Sequence, residues 1–190
     1  MNRRDAISRV ALLLGGTVIG AEFFLSGCKN EDKKIGSSVD FKPEDIAFLD
    51  EVAETIIPQT DTPGAKAAKV GTFMSVMVKD CYDEDNQKVF LEGMNKLNDA
   101  SKKKFNSGFM QVTPEQRKQL LNEIDKEMKD YGKNKKQEDP AHYFNQMKQL
   151  TLLGYFTSKE GATQALRYVA VPGRFDACIP YKKGDKAWAL

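Results

Sequence analysis

The chain is poor in the residues that build catalytic and metal centres. It contains one histidine, His142, and three cysteines, Cys28, Cys81 and Cys178. No two cysteines lie close in sequence, so the spacing that holds zinc, an iron–sulfur cluster or an attached haem is missing. The glycine-rich dinucleotide fingerprint, the phosphate loop and the Gly-x-Ser-x-Gly elbow are missing too. The sequence therefore predicts no active site, metal site or cofactor site on this chain, and we interpret His142 as a capping or surface residue.

Neither sign of charge is in excess. The chain has 29 basic and 27 acidic residues and a net charge of +2. About one unit of this positive net charge belongs to residues 1–27, which we expect to be removed. A nearly neutral chain has no electrostatic reason to bind nucleic acid, so we expect no nucleic-acid partner.

The N-terminus lacks an apolar run long enough to cross a bilayer. Its uncharged stretch covers residues 10–21 and is followed by Glu22, whereas a span needs about 20 apolar residues. The stretch follows the adjacent Arg3 and Arg4, and a basic start before a short apolar region is typical of a secretory signal. Paired arginines indicate the twin-arginine route, which exports folded proteins.

Residues 25–28 read Leu-Ser-Gly-Cys, the ending of a lipoprotein signal. We therefore expect residues 1–27 to be cleaved and Cys28 to become a lipidated N-terminus, with several acyl chains for stable anchoring. Residues 28–40 are polar and read as a tether, and residues 41–190 as one domain. The predicted location is a bacterial membrane, with the protein exported, lipid-anchored and facing the periplasm or the cell exterior.

Apolar residues recur at helical spacing between residues 43 and 157, and no stretch alternates as a strand does. Pro43 suits a first helical position, and Thr113, Pro114 and Gln116 form a capping-box signature. We expect the helix that begins at Pro114 to end at Gly132. The predicted fold is all-α, a single domain of five to six helices. The expected helices cover residues 43–57, 70–81, 85–105, 114–132 and 140–157, with a short one at 161–167. In the fifth helix, the residues at helical spacing that we expect to be buried are Phe144, Met147, Leu150, Leu153 and Phe156.

The C-terminal residues 169–190 form a long irregular segment with prolines, glycines and several large apolar side chains. Such a segment must pack on something, so it either lies across the helical body or contributes to a protein interface. The two cysteines that remain after lipidation, Cys81 and Cys178, either pair with each other, stay free, or include one that bridges to a partner chain.

Three blocks carry a family resemblance: IIPQTDTPGA at residues 56–65, LTLLGYFTS at 150–158 and VPGRFDAC at 171–178. Together they resemble the small third subunit of the gluconate 2-dehydrogenase family. The resemblance implies an α-helical partner of a large flavin-dependent dehydrogenase, with FAD in that large subunit and none on this chain. It also implies a separate cytochrome c subunit, and a small subunit whose twin-arginine signal escorts the large one out of the cell.

Two hypotheses address the loops in these blocks. In one, their prolines and glycines only shape the loops. In the other, four residues support a surface that faces the partner, and Cys178 is the candidate for an inter-subunit disulfide because it lies in the irregular apolar tail. The four residues are Asp61, Arg174, Phe175 and Asp176.

The sequence thus predicts a non-catalytic accessory subunit that escorts, stabilises and tethers a sugar or sugar-acid dehydrogenase. The alternative is an independent exported lipoprotein that binds a ligand or acts as a scaffold. A self-sufficient enzyme is disfavoured, since no nucleophile–base pair or metal constellation is recognisable.

Overall fold

A computed structural model describes residues 40–174 and 178–189. It contains five α-helices: α1 (Pro43–Ile56), α2 (Val70–Cys81), α3 (Glu84–Phe105), α4 (Pro114–Asn134) and α5 (Tyr143–Thr157). A π-helix follows at Gly161–Ala165. The described residues contain no β-strand, so the all-α prediction is confirmed. Within those residues, no helix is long and apolar enough to cross a membrane.

The helix starts follow the local signals in the sequence. Asp45 in the first turn of α1 accepts a hydrogen bond of 2.9 Å from the Lys42 amide. At α4 the Thr113 hydroxyl accepts from the Gln116 amide at 3.3 Å, and the Gln116 side chain accepts from the Thr113 amide at 3.0 Å. The predicted capping box is therefore confirmed, and it satisfies two amides that have no partner inside the helix.

Three predicted boundaries were wrong. Helix α4 continues past Gly132 to Asn134, because an exposed glycine weakens a helix without necessarily ending it. Helix α5 begins at Tyr143 and not near residue 140, because His142 is its N-cap. The short helix expected at residues 161–167 is a π-helix that ends at Ala165.

Helix α5 is the centre of the domain and contacts the other four α-helices. Its buried face differs from the predicted one, since Leu153 and Phe156 are 47% and 40% exposed. Gly154 is buried in their place because Phe73 of α2 packs against it so closely that a Cβ would lie 2.6 Å from the Phe73 ring. The core is built from apolar side chains of all five helices, among them Leu49, Val52, Met74, Val78, Phe90, Leu97, Leu121, Ile124, Met147 and Leu150.

Candidate partner interface

The first resemblance block continues from the end of α1 into the α1–α2 loop, residues 57–69, and the Glu54 carboxylate fixes this loop. One carboxylate oxygen of Glu54 accepts from the Gln59 amide at 2.9 Å, and the other accepts from the Lys66 amide at 2.8 Å. A Cβ on Gly64 would lie 2.3 Å from the carboxylate. The carboxylate reaches both amides because residue 64 has no side chain. These hydrogen bonds define the backbone conformation of the loop.

The second resemblance block lies against the same loop. The phenol of Tyr155 donates a hydrogen bond of 2.7 Å to the Pro63 carbonyl, and the Ala65 amide donates to the Ile57 carbonyl at 3.0 Å. Two blocks that are far apart in the sequence thus form one substructure, in which α5 supports the loop from the core side.

Asp61 lies at the exposed tip of this loop. The Thr60 amide donates to the Thr62 carbonyl at 3.0 Å, so the chain turns tightly around Asp61. Because Glu54 and Tyr155 hold the base of the loop, the Asp61 carboxylate is presented to solvent on a defined backbone. This position suits the predicted role in a partner-facing surface, which remains a prediction.

The acidic residues of α1 also tie α1 to the α1–α2 loop, to α2 and to α4, a role that the sequence did not reveal. Glu51 forms ion pairs with Lys66 and Arg117. Burial alone would raise the pKa of Glu51, but hydrogen bonds and charges from Lys66 and Arg117 outweigh it and lower the pKa. Burial raises the pKa of Asp50, which accepts a hydrogen bond of 2.7 Å from the Gly71 amide. These carboxylates therefore have structural partners within the fold.

The C-terminal loop, residues 168–187, is closed at its base. The Arg167 amide donates to the Ala187 carbonyl at 2.8 Å, and the Ala189 amide donates to the Arg167 carbonyl at 2.9 Å. The Arg167 guanidinium lies 4.3 Å from the centre of the Trp188 ring, a cation–π contact of about 0.5–1 kcal/mol at an exposed site. The two ends of the loop are thus held together at the side of the π-helix.

Every described residue of the C-terminal loop is exposed. Val171 and Tyr181 are 81% and 79% exposed, and Tyr168, Val169 and Ile179 are about half exposed. Of the two alternatives for this segment, packing across the helical body is therefore wrong for the described part. The interface role stays a prediction, which the exposed apolar side chains of the described part suit.

The remaining predicted positions divide into two groups. Arg174 and Cys178 are exposed in the C-terminal loop, and Cys178 and Cys81 are both free thiols. The two cysteines therefore do not pair with each other in this structure. The others lie outside the described residues: Arg3, Arg4, Cys28, Phe175 and Asp176.

His142 is a helix cap, as the sequence predicted. Its Nδ1 atom accepts a hydrogen bond of 3.2 Å from the Phe144 amide, and its ring packs in tilted orientations against the rings of Tyr131 and Tyr143. The cap needs the neutral imidazole, because a protonated Nδ1 cannot accept. Burial accordingly lowers the pKa of His142.

The described residues form several surface depressions. One of about 240 Å³ lies between α1, α4 and α5, and its Lys148 is paired with Asp125 at 2.5 Å. Two larger ones, of about 420 and 510 Å³, lie beside α2 and beside the start of α3. Charged and polar side chains make up most of the lining of these two, whereas ligand pockets are lined predominantly by apolar side chains. Among residues 40–174 and 178–189, no group of three or more histidine, cysteine, aspartate or glutamate side chains is placed to hold a metal ion.

Residues 43–173 match the model of the protein family described as Gluconate 2-dehydrogenase subunit 3. The match begins at the first residue of α1 and ends inside the C-terminal loop, so it includes the first two resemblance blocks and only the start of the third. No curated protein and no solved structure matches the chain.

Proposed function

Because the chain belongs to the gluconate 2-dehydrogenase subunit 3 family, we propose that it is the non-catalytic accessory subunit of a flavin-dependent sugar or sugar-acid dehydrogenase. In this proposal the chain escorts the large subunit out of the cell, stabilises it and tethers it to the membrane. The large subunit contains the FAD, and a cytochrome c subunit takes up the electrons.

The observation that carries the proposal is the C-terminal loop. Its ends are closed by Arg167 and Trp188, yet the large apolar side chains of its described residues face solvent. Single exposed apolar residues are common on protein surfaces, whereas a run of them rimmed by polar residues is typical of a binding surface. A closed loop also loses less conformational entropy on binding than an open segment. The closed ends and the exposed apolar side chains of the described part thus support a role of the loop as a contact for a larger subunit.

The export signal fits the same role. A helical protein of this size without a cofactor has little need to fold before it crosses a membrane. A flavin-loaded large subunit has to fold inside the cell, and the adjacent Arg3 and Arg4 of this chain would supply the twin-arginine signal for both. After cleavage, the lipid on Cys28 would hold the complex at the membrane.

Affinity purification of this chain from solubilised membranes tests the proposal. We expect the chain to recover a large subunit with flavin absorbance and dye-linked dehydrogenase activity toward sugars or sugar acids. Recovery of the chain alone would favour the independent lipoprotein, which binds a ligand or a scaffold protein without a dehydrogenase.

The anchor and the export route have separate tests. Metabolic labelling with a radioactive fatty acid should label the wild-type chain and not the Cys28→Ala variant; label on the variant would contradict lipidation at Cys28. Replacing Arg3 and Arg4 by lysine should block export, since the general secretory route accepts lysine in its basic region and the twin-arginine route tolerates it poorly.

A further inference from the structure

We propose that the outer face of α5 is a second contact surface for the large dehydrogenase subunit, and that it fits an apolar, uncharged area of that subunit. The outer face consists of Gln149, Leu152, Leu153, Phe156 and Thr157. This inference rests on the proposed function, since it needs a large subunit to exist. It adds a surface outside the C-terminal loop and the α1–α2 loop, with a different chemistry.

The exposed apolar side chains of the outer face adjoin one another. Leu153 and Phe156 are three residues apart and Leu152 and Phe156 are four apart, so their side chains are neighbours on one side of the helix. Leu153 and Phe156 are 47% and 40% exposed. Helix α5 contacts the other four α-helices, and its outer face is where its large apolar side chains remain exposed.

The outer face has no charge. Residues 149–158 contain no acidic or basic residue, although 29% of the chain is charged. The charged residue just before them, Lys148, is paired with Asp125 of α4 at 2.5 Å. Exposed helix faces normally carry charged residues, and the fully buried core of a protein interface is depleted of them. The composition of the outer face is therefore that of an interface core.

The hydroxyl groups at the end of α5 are already used inside the helix. The Thr157 hydroxyl donates to the Leu153 carbonyl at 2.7 Å, and the Ser158 hydroxyl donates to the Tyr155 carbonyl at 2.6 Å. Both hydroxyl groups therefore keep their acceptors when a partner covers this end of the helix. The usual free-energy penalty for burying an unpaired polar group is avoided there.

The missing charge also decides which occupant the face fits. A helix that lies on an anionic membrane needs lysine or arginine beside its apolar side chains, and the outer face has none. The next charged residues, Lys159 and Glu160, carry opposite charges. A lipid surface would therefore gain no electrostatic attraction here, whereas an apolar protein surface needs none. Because the chain's family is described as a subunit of gluconate 2-dehydrogenase, the protein occupant we assign is the large subunit of the proposed complex.

Binding of the purified flavin-containing large subunit to variants of this chain tests the assignment. Leu153→Lys and Phe156→Lys place a cation near the end of α5, where the helix dipole favours it, so both should fold normally by circular dichroism. Each should weaken binding by about tenfold or more, as expected when a central interface residue is lost. Val76→Lys on α2 is the matched control, because Val76 is 50% exposed; it should bind like the wild type.

The outcomes separate this inference from the proposed function. If the wild type recovers no flavoprotein, the proposed function fails and the surface assignment fails with it. If the wild type binds the large subunit and Leu153→Lys and Phe156→Lys bind it equally well, only the surface assignment is overturned. The assignment is also overturned if Val76→Lys is as harmful as they are. Loss of vesicle binding or of a homodimer, with binding of the large subunit intact, would assign the face to lipid or to a second copy instead.

Discussion

The phenol of Tyr155 donates a hydrogen bond of 2.7 Å to the Pro63 carbonyl, between residues 92 apart in the sequence. Tyr155 is only 2% exposed, so this bond fixes the α1–α2 loop to the central helix from inside the domain. The tip of the loop, at Asp61, is exposed on the other side. The position of a candidate partner contact thus depends on a residue that is buried inside the domain.

Replacing Tyr155 by phenylalanine tests this dependence. The variant keeps the ring but leaves the Pro63 carbonyl without its donor, which should lower the free energy of unfolding by about 1–2 kcal/mol. Chemical denaturation measures the loss. Tyr181→Phe is the control, since Tyr181 is 79% exposed, and it should leave the stability unchanged. Equal effects of the two variants would contradict a structural role for the bond.

Gly64 and Gly132 should respond in opposite ways to alanine. A Cβ at position 64 would lie 2.3 Å from the Glu54 carboxylate, while one at position 132 meets nothing within 4 Å. We expect Gly64→Ala to cost about 2 kcal/mol or more, because the Cβ would also lie 2.6 Å from the Gln59 backbone nitrogen and Glu54 would have to release the loop amides. Gly132→Ala in the exposed part of α4 should stabilise the protein by about 0.5 kcal/mol. Denaturation curves of both variants check the contrast, and a stable Gly64→Ala protein would remove the argument for a clamped loop.

The helices were predictable because their signals are local. Thr113, Pro114 and Gln116 mark the start of α4 within four residues, and the helical spacing of apolar residues marks the rest. The family resemblance was also visible in short blocks, and the family match confirms it. The errors arose where a distant residue decides the outcome. Phe73 on α2 selects Gly154 for the buried face of α5, and nothing near Leu153 in the sequence reveals that choice.

The candidate interface was predictable only in part. The irregular C-terminal segment could be read from its prolines and glycines, and Asp61 from its turn-rich surroundings. Three relationships had no recognisable signal in the sequence: the Glu54 clamp on the loop, the ion pair of Glu51 with Arg117, and the closure of Arg167 on Trp188. Each joins single residues without periodicity, so only the folded chain reveals them.

The His142 cap should make stability depend on pH. The pKa of His142 is lowered from 6.5, mainly by burial, with Lys96 acting in the same direction and Glu127 opposing. The unfolded chain therefore binds the proton first, and stability falls as the pH drops below about 6.5, levelling off once the folded state is also protonated. Denaturation at a series of pH values between about 5 and 7.5 measures the slope, since ordinary carboxyl groups titrate mostly below this range.

Asparagine at position 142 provides the matched control for this pH dependence. Asparagine is a good N-cap that does not titrate. His142→Asn should therefore keep the cap and lose the slope below about pH 6.5, while the lost ring contacts with Tyr131 and Tyr143 lower the stability equally at all pH values. A slope that survives in His142→Asn would assign the pH dependence to another group.

Arg174→Ala tests the C-terminal loop as a partner surface. Arg174 is exposed in the loop, so the variant should keep its helical content and its Tm within about 2 °C. Binding of the large subunit should weaken several-fold, since arginine is enriched among the residues that dominate interfaces. A large fall in Tm with binding intact would favour the simpler hypothesis that this segment only shapes the fold.

Cys178 is the candidate for a disulfide to the large subunit. Its thiol is free and exposed in the C-terminal loop, and the Cys81 thiol is free and exposed at the end of α2. Both thiols face an oxidising compartment if the chain is exported. Which of the two forms the disulfide therefore depends on which surface contacts the partner.

A non-reducing gel of the native complex should contain a band of the combined mass that disappears with a reductant. Cys178→Ser should abolish that band and Cys81→Ser should not. A wild-type complex that runs only as separate subunits would exclude the bridge, and a band lost only in Cys81→Ser would move the contact from the C-terminal loop to the end of α2.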